Sequence, residues 1–390
     1  MPWREVSPMD EKVRFIADVQ RDEASFVELC ARYGVSRKTG YKWVDRYEEE
    51  GGAGLSERSR RPKSFPRATD SGLVEKVVEL RKKHPSWGGR KLHDILARRD
   101  PSVAWPAGST CCEILKREGL VETRRRRRYP GHPGPPTRPM DESNSTWTTD
   151  FKGEFKTRDG QYCYPLTVVD GYSRYLLACQ GLPSTKTVLA RPVFTRLFSE
   201  YGLPRVIRSD NGTPFASTAL ARLSSLSVWW IRLGIFPELI EPASPQQNGA
   251  HERMHRTLKR ETQRPPKGNL QAQQVCFNRF RDDYNNLRPH DGIGGATPAS
   301  RYQPSPRPMP RTLPQVEYPK HFEERYVSAN GGIRWKCVRV PVSKTLEGQF
   351  VGFEEVGDGL WDVYFGPILL GRMDERTLRI EDKNGHLRRG

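Results

Sequence analysis

Three acidic residues stand in settings that constrain how this chain can fold. Asp150 lies in Ser145-Thr-Trp-Thr-Thr-Asp-Phe-Lys-Gly-Glu-Phe155, which alternates polar and aromatic residues as a half-buried strand does. Asp210 ends Val206-Ile207-Arg208-Ser209-Asp210 and runs into Asn211-Gly212, where a strand exits into a turn. Glu252 follows the breaker-rich stretch Pro242-Ala-Ser-Pro-Gln-Gln-Asn-Gly249 and opens a helix. Two carboxylates at strand positions and one on a following helix can converge on a pair of hard divalent cations, which take oxygen ligands. Such a pair can clamp both the attacking and the leaving oxygen of a phosphodiester.

A chain of 390 residues has room for two to four domains. The formal net charge of +18 calls for a polyanionic partner, and its distribution sharpens the point. Residues 1–50 carry 9 Lys and Arg against 11 Asp and Glu, whereas residues 51–142 carry 21 against 11, so the excess sits in particular segments. The seven cysteines, at 30, 111, 112, 163, 179, 276 and 337, are odd in number and lack C-x-x-C spacing. This argues against a disulfide framework or a zinc ribbon and for thiols packed as small apolar residues in a reducing cytosol. Met1-Pro-Trp-Arg-Glu5 does not read as a signal peptide, and no apolar run approaches membrane-spanning length, which predicts a soluble intracellular protein without a membrane partner.

Residues 11–50 read as three short helices. Phe26, Val27, Leu29, Cys30 and Tyr33 give a helical apolar face, Gly34 the turn, Val35 an apolar plug and Ser36 the N-cap of a helix over 37–46. This is the grammar of a helix-turn-helix, with Arg37, Lys38, Thr39, Tyr41 and Lys42 facing outward toward DNA and Gly40 an internal cost of roughly 1 kcal/mol against Ala. A second helical module over 70–128 has helices at 73–83, 90–99 and 109–118, with Arg90 and Lys91 as DNA contacts. Arg124, Arg125, Arg126, Arg127 and Arg128 then lead into a basic, proline-rich linker over 129–142, placed to lie along phosphates. Strands near 146–157, 162–170, 174–181, 205–209 and 236–240 alternate with helices over 186–201, 217–233 and from Glu252, with Pro192 starting or kinking the first helix. A helix over 269–286 backs this core. Beyond the proline-rich spacer 303–319, short strands with glycine-bearing turns predict a small β-barrel over 320–385.

The motifs around the three acidic residues resemble the catalytic core of the retroviral-integrase superfamily, specifically the DDE-type insertion-sequence transposases. Pro245-Gln-Gln-Asn-Gly-Ala-His-Glu-Arg-Met-His-Arg-Thr-Leu-Lys259 is similar to the family's third motif, with Asn-Gly ahead of the Glu and a Lys seven residues after it. Ser209-Asp210-Asn211-Gly212-Thr213-Pro214-Phe215 matches the middle one. The likeness is strong over 143–302; the step from Asp210 to Glu252 is longer than is common in retroviral members. The resemblance implies an N-terminal all-α helix-turn-helix region of 1–55 plus the second, winged or helical module, a central α/β ribonuclease-H-like core and the C-terminal barrel. It also implies Asp150, Asp210 and Glu252 as catalytic ligands of two Mg²⁺ or Mn²⁺ ions, with Asp150 bridging them. The partners would be double-stranded DNA at transposon ends and targets, engaged by a homo-oligomer in the bacterial cytoplasm.

Rival readings exist. His251-Glu252-Arg253-Met254-His255 fits H-E-x-x-H, in which two histidines one turn apart bind zinc and the Glu is the base of a protease. The surrounding Arg253, Arg256, Lys259 and Arg260, and a Leu at 258, speak against it, and it leaves Asp150 and Asp210 idle. The two histidines are expected instead to flank the site and touch DNA, Arg256 and Lys259 to hold phosphates, and Asn248 to orient the loop or Glu252. Asp170 serves as a control, a turn former after a strand. A non-catalytic DNA-binding regulator is a further alternative, though it would have no reason to keep all three acidic residues.

Overall fold

The computed structural model describes residues 8–58, 68–121, 138, 140–241 and 249–382, and Arg124–Arg128 and Asn248 lie outside them. The chain divides into two compact units, residues 1–68 and 69–390.

The first unit is a three-helix domain: α1 (Pro8–Arg21), α2 (Phe26–Arg32) and α3 (Arg37–Glu50). Ser25 and Glu28 form a reciprocal capping box at the start of α2, and Ser36 caps α3 by accepting from the Thr39 N–H at 3.2 Å. Phe15, Ile16, Leu29, Cys30, Trp43 and Leu55 make its core. Gly40 is where α3 meets that core. A Cβ there would sit 2.8 Å from Cys30 Sγ and 2.9 Å from Phe26 Cζ, so close packing outweighs the helix propensity of Ala.

The second unit begins with α4 (Ser71–Lys83), α5 (Gly89–Arg99) and α6 (Gly108–Arg117), wrapped round Val77, Trp87, Leu92, Ile95 and Ile114. No strand forms in residues 68–121, so the module is helical without a wing among the described residues. Strands β1 (Thr146–Phe151), β2 (Phe155–Lys156), β3 (Tyr162–Asp170) and β4 (Leu176–Leu182) follow, then α7 (Thr187–Tyr201) and β5 (Val206–Ser209). Helix α8 (Ser225–Arg232), β6 (Phe236–Leu239), α9 (Gly249–Thr262) and α10 (Leu270–Asn286) complete the core. The sheet runs β2-β3-β1-β5-β6, with β4 pairing β3, and only β1–β5 and β5–β6 are parallel. Alternation along β3 buries Val168 against α7 and α8 and Val169 against α9 and α10, giving a helix–sheet–helix sandwich. The free edge of β4 is occupied by α10: Asn285 binds Leu176 N at 2.8 Å and Leu176 O at 3.0 Å, and Gln274 binds Gly181 N and Cys179 O.

Several expectations change. The single strand expected over 146–157 breaks at Lys152-Gly153-Glu154 into β1 and β2. The helix expected over 217–233 shrinks to 225–232. Before it, Ser217 bonds Leu223 O and Ala219 N, local side-chain bonds that compete with helix, and Ser224 caps a fresh start with Ser227. Pro192 does not begin α7, which runs through it. Residues 303–319 run along the core: Arg307 bonds Pro204 O, Leu233 O and Gly234 O, while Met309 and Leu313 pack on it. Cys112 and Cys337 are exposed, while all seven cysteines are free.

The C-terminal region is not a closed barrel. Strands β7 (Glu323–Tyr326), β8 (Gly332–Trp335), β9 (Val338–Pro341), β10 (Phe350–Gly357), β11 (Leu360–Phe365), β12 (Ile368–Asp374) and β13 (Arg379–Glu381) form an open sheet, β13-β12-β11-β10-β7, and a separate β8–β9 hairpin. Closure is unnecessary because its apolar face is covered already: Val351, Phe353, Val363 and Phe365 share one cluster with hairpin residues Ile333 and Trp335 and with Val228 and Ile231 of α8.

Candidate active site

Strand pleating sends Thr148 and Asp150 of β1 to the same face of the sheet, and helical periodicity puts His251 and His255 of α9 on one stripe. The two patterns meet. His251 places Nδ1 2.9 Å from Thr148 Oγ1 and Nε2 2.7 Å from Thr167 Oγ1, and His255 places Nε2 2.7 Å from the same Thr167 oxygen. His255 Nδ1 approaches Asp150 Oδ2 at 3.5 Å. Both histidines are buried, at 2% and 3% exposure, so they anchor α9 to the sheet and do not face DNA as the sequence suggested. Burial pushes His251 down to about 3, and burial with His251 beside it drives His255 well below the ordinary histidine range. Both imidazoles are therefore neutral. Thr167 donates its one hydroxyl hydrogen to Asp150 O at 3.1 Å, which leaves both Nε2 atoms as donors to Thr167 and His255 Nδ1 as an acceptor facing Asp150. With these ring nitrogens engaged, a zinc site at H-E-x-x-H has no free ligand pair.

Asp150 and Asp210 come together because β1 and β5 are adjacent and parallel, with Thr149 opposite Ser209 and each Asp one residue on. Burial first, and then the Asp210 carboxylate, pushes Asp150 up to about 7; Lys152 opposes the shift and Glu252 adds to it. Asp210 is raised too, by burial, against the lowering effect of the Gly212 backbone N–H it accepts. Its buried Oδ1 has no hydrogen-bond partner among the described residues. Glu252 follows His251 on α9 and is exposed. Among the described residues no three His, Cys, Asp or Glu side chains form a ready metal cluster. The structure thus assembles the two aspartates and leaves Glu252 at their margin.

Arg256 and Lys259 lie four and seven residues after Glu252 and are exposed with it, so Glu252 and the two cations share a helix face. In the N-terminal unit Arg37, Lys38, Tyr41 and Lys42 are exposed on α3, while Thr39 is half-buried and bonds Ser36. Arg90 is exposed, but Lys91 is half-buried beside the core, below its ordinary value through burial and the nearby Arg288. Asp170 behaves as the control requires: it is fully buried and accepts from Asn144 N, Ser173 N and Ser173 Oγ at 2.6–2.8 Å. Sequence reasoning missed the Thr148–Thr167–His251–His255 cluster, although two histidines four apart on an apolar helix stripe were its signal. It also missed Arg208, 1% exposed beside Asp210, which pairs with Glu238 across β5 and β6 at 2.5 Å.

One family description covers two stretches of the core. Residues 141–245 and 233–298 match the family described as Integrase core domain, residues 11–63 match Helix-turn-helix domain and residues 39–115 match Homeodomain-like domain. The 39.2 kDa protein of insertion element IS476 from Xanthomonas euvesicatoria is 30% identical over 258 residues, 63% of this chain and 69% of that protein. The 31.7 kDa protein of insertion element IS407 from Burkholderia multivorans is 24% identical over 236 residues, 58% of this chain and 79% of that protein. Among solved structures, the HTLV-2 integrase catalytic core in complex with magnesium aligns over 42% of this chain and 98% of its own, at 17% identity and a TM-score of 0.34. No helix among the described residues is long and apolar enough to cross a membrane.

Proposed function

The chain belongs to the insertion-element transposases with an integrase-like core, and from that membership we propose that it binds the ends of its own element and cuts and joins them by metal-dependent phosphoryl transfer. One observation carries the catalytic part. Two carboxylates are held at adjacent strand ends, with Asp150 pushed up to about 7 and the buried Asp210 Oδ1 without a partner among the described residues. Forcing like charges together is unfavourable unless a cation joins them, and an all-oxygen donor set suits Mg²⁺ or Mn²⁺. The residues present fit such ions: Asp150 and Asp210 would hold them, with Glu252 completing the set. Bound there, two divalent ions would activate water or a 3′-hydroxyl and stabilise the leaving oxygen.

The chain's own residues do the rest. Thr167, held by His255, anchors the Asp150 backbone through its carbonyl, and Gly212 fixes Asp210 through its backbone N–H. Arg256 and Lys259 hold substrate phosphates beside Glu252. Arg37, Lys38, Thr39, Tyr41 and Lys42 read the element's ends, with Arg90 contacting backbone. The arginines at 124–128 and Asn248 are assigned DNA contacts on sequence alone. The protein works as a homo-oligomer on double-stranded DNA in the bacterial cytoplasm. The test is strand transfer with oligonucleotides carrying the element's ends: activity that requires Mg²⁺ or Mn²⁺ and is lost in Asp150→Asn supports the reading. End binding without any cutting or joining in either metal would point to a non-catalytic regulator.

A further inference from the structure

A second, separate cluster of charge lies behind the catalytic helix. A cavity of about 250 Å³ is lined by Lys91 of α5, Arg174 of the β3–β4 turn, Arg253 of α9 and Arg288 just after α10. Among its lining residues Asp291 is the one carboxylate. Arg288 is paired with Glu261 at 3.1 Å, but Lys91, Arg174 and Arg253 have no carboxylate within ion-pair distance among the described residues. His290 also lines the cavity and adds no charge: burial, with Lys91 and Arg288 nearby, pushes it down to about 3. The cations repel one another. Burial lowers Arg174, with Arg253 adding to the shift and Tyr284 and Asp170 opposing it; burial lowers Lys91, with Arg288 adding to the shift and Asp291, Asp94 and Glu261 opposing it. Side chains from four chain segments, Arg253 exposed and the other three half-buried, converge on this one cavity around a single lining carboxylate, an arrangement that a bound anion would stabilise.

The size of the enclosure limits the occupant. At about 250 Å³ it holds roughly eight waters at ~30 Å³ each and falls below the ~300–1,000 Å³ of sites for drug-sized molecules. A compact multivalent oxyanion with its hydration fits, and guanidinium forks with an ammonium match phosphate oxygens. We propose that this cavity binds a phosphate group and, once filled, clamps the second helical module to α9. Lys91 comes from that module and Arg253 adjoins Glu252, so the anion would bridge the two. Only the source of the phosphate, a DNA backbone or a free phosphate, rests on the transposase reading.

The experiment uses the full chain in EDTA, so catalysis plays no part. Inorganic phosphate and pyrophosphate are titrated at fixed ionic strength, followed by calorimetry, thermal unfolding and hydrogen exchange. The expected result is saturable binding, a higher Tm and slower exchange in α5. Arg174→Gln and Lys91→Gln should each weaken binding tenfold or more, as should Arg253→Gln, whose exposed position makes misfolding no explanation. Lys320→Gln, outside the cavity, should not. Asp150→Asn should bind phosphate normally, which separates this site from the catalytic proposal. If DNA supplies the phosphate, a duplex displaces bound pyrophosphate and Arg174→Gln reduces the salt slope of DNA binding by about 1. If free phosphate does, the duplex leaves it bound and the slope is unchanged. Absence of saturable binding in the wild type, or binding in Arg174→Gln, Lys91→Gln and Arg253→Gln equal to that in Lys320→Gln, overturns the proposal.

Discussion

His255 Nδ1 stands 3.5 Å from Asp150 Oδ2, a neutral imidazole braced behind the carboxylate expected to bridge two metal ions. An acceptor nitrogen gives a carboxylate no hydrogen bond, so His255 positions Asp150 through Thr167, which accepts from His255 and donates to the Asp150 carbonyl; loss of such an outer partner typically costs 10–100-fold in metal affinity or activity. His255→Ala should therefore lower strand transfer by about 10–100-fold. It should also destabilise the fold by roughly 1–3 kcal/mol, because Thr167 loses a buried partner. His255→Gln, which keeps a donor, should recover part of both. Unchanged Mn²⁺ affinity and unchanged Tm in His255→Ala would remove this positioning role.

Asp150→Asn, Asp210→Asn and Glu252→Gln should each abolish nicking and joining of end DNA while gel shifts with the same DNA persist. Glu252 is the sharpest of the three, since it lies exposed at the margin of the aspartate pair. Joining retained in Glu252→Gln would mean that another residue completes the set.

The aspartate pair also predicts a pH signature in the metal-free protein. Asp150 is raised to about 7 in the fold, above the ~3.9 of an unfolded aspartate, so the native state holds the proton more tightly. The stability this contributes is fully present below about pH 4 and is lost as pH rises to about 7. The buried histidines act oppositely: lowered in the fold, they cost stability as pH falls below about 6.5. Comparing wild type with Asp150→Asn isolates the carboxylate. In EDTA the variant should gain on wild type between pH 5 and 8, by an amount of order 2–4 kcal/mol, and Mg²⁺ should reverse the order at pH 8. Parallel Tm–pH curves in EDTA would show that the pair is not strained.

Gly40→Ala sets two physical effects against each other. Helix propensity favours Ala by roughly 1 kcal/mol, whereas overpacking costs about 1–3 kcal/mol. With Cys30 Sγ 2.8 Å from the Cβ position, overpacking should win and denaturation of the N-terminal unit should come earlier. A stabilised variant would mean that α2 yields easily.

Arg37→Ala and Lys42→Ala, both at exposed positions of α3, should each weaken end binding by roughly 1–3 kcal/mol if they touch bases. A phosphate contact would instead weaken all DNA alike and lower the salt slope by about 1. Fluorescence anisotropy with end and scrambled duplexes at several salt concentrations distinguishes the two.

The sequence by itself determined the element types and the aspartate pair. Those features are local: the polar–aromatic alternation of 145–155, the strand exit at Asp210-Asn-Gly and the cap at Ser36 act within a few residues of themselves. It overreached where local rules compete, as at 217–224, where serine hydroxyls claimed backbone that apolar periodicity had assigned to helix. Only the tertiary structure decided what His251 and His255 do, because which residue faces them across the sheet depends on how β1, β3 and α9 pack. The same holds for the open C-terminal sheet. Whether short strands close into a barrel depends on what else can cover their apolar face, and here Val228 and Ile231 of the core do so. The cation-lined cavity beside α9 draws Lys91 and Arg288 from positions 197 residues apart, a juxtaposition no local pattern encodes and only long-range packing creates.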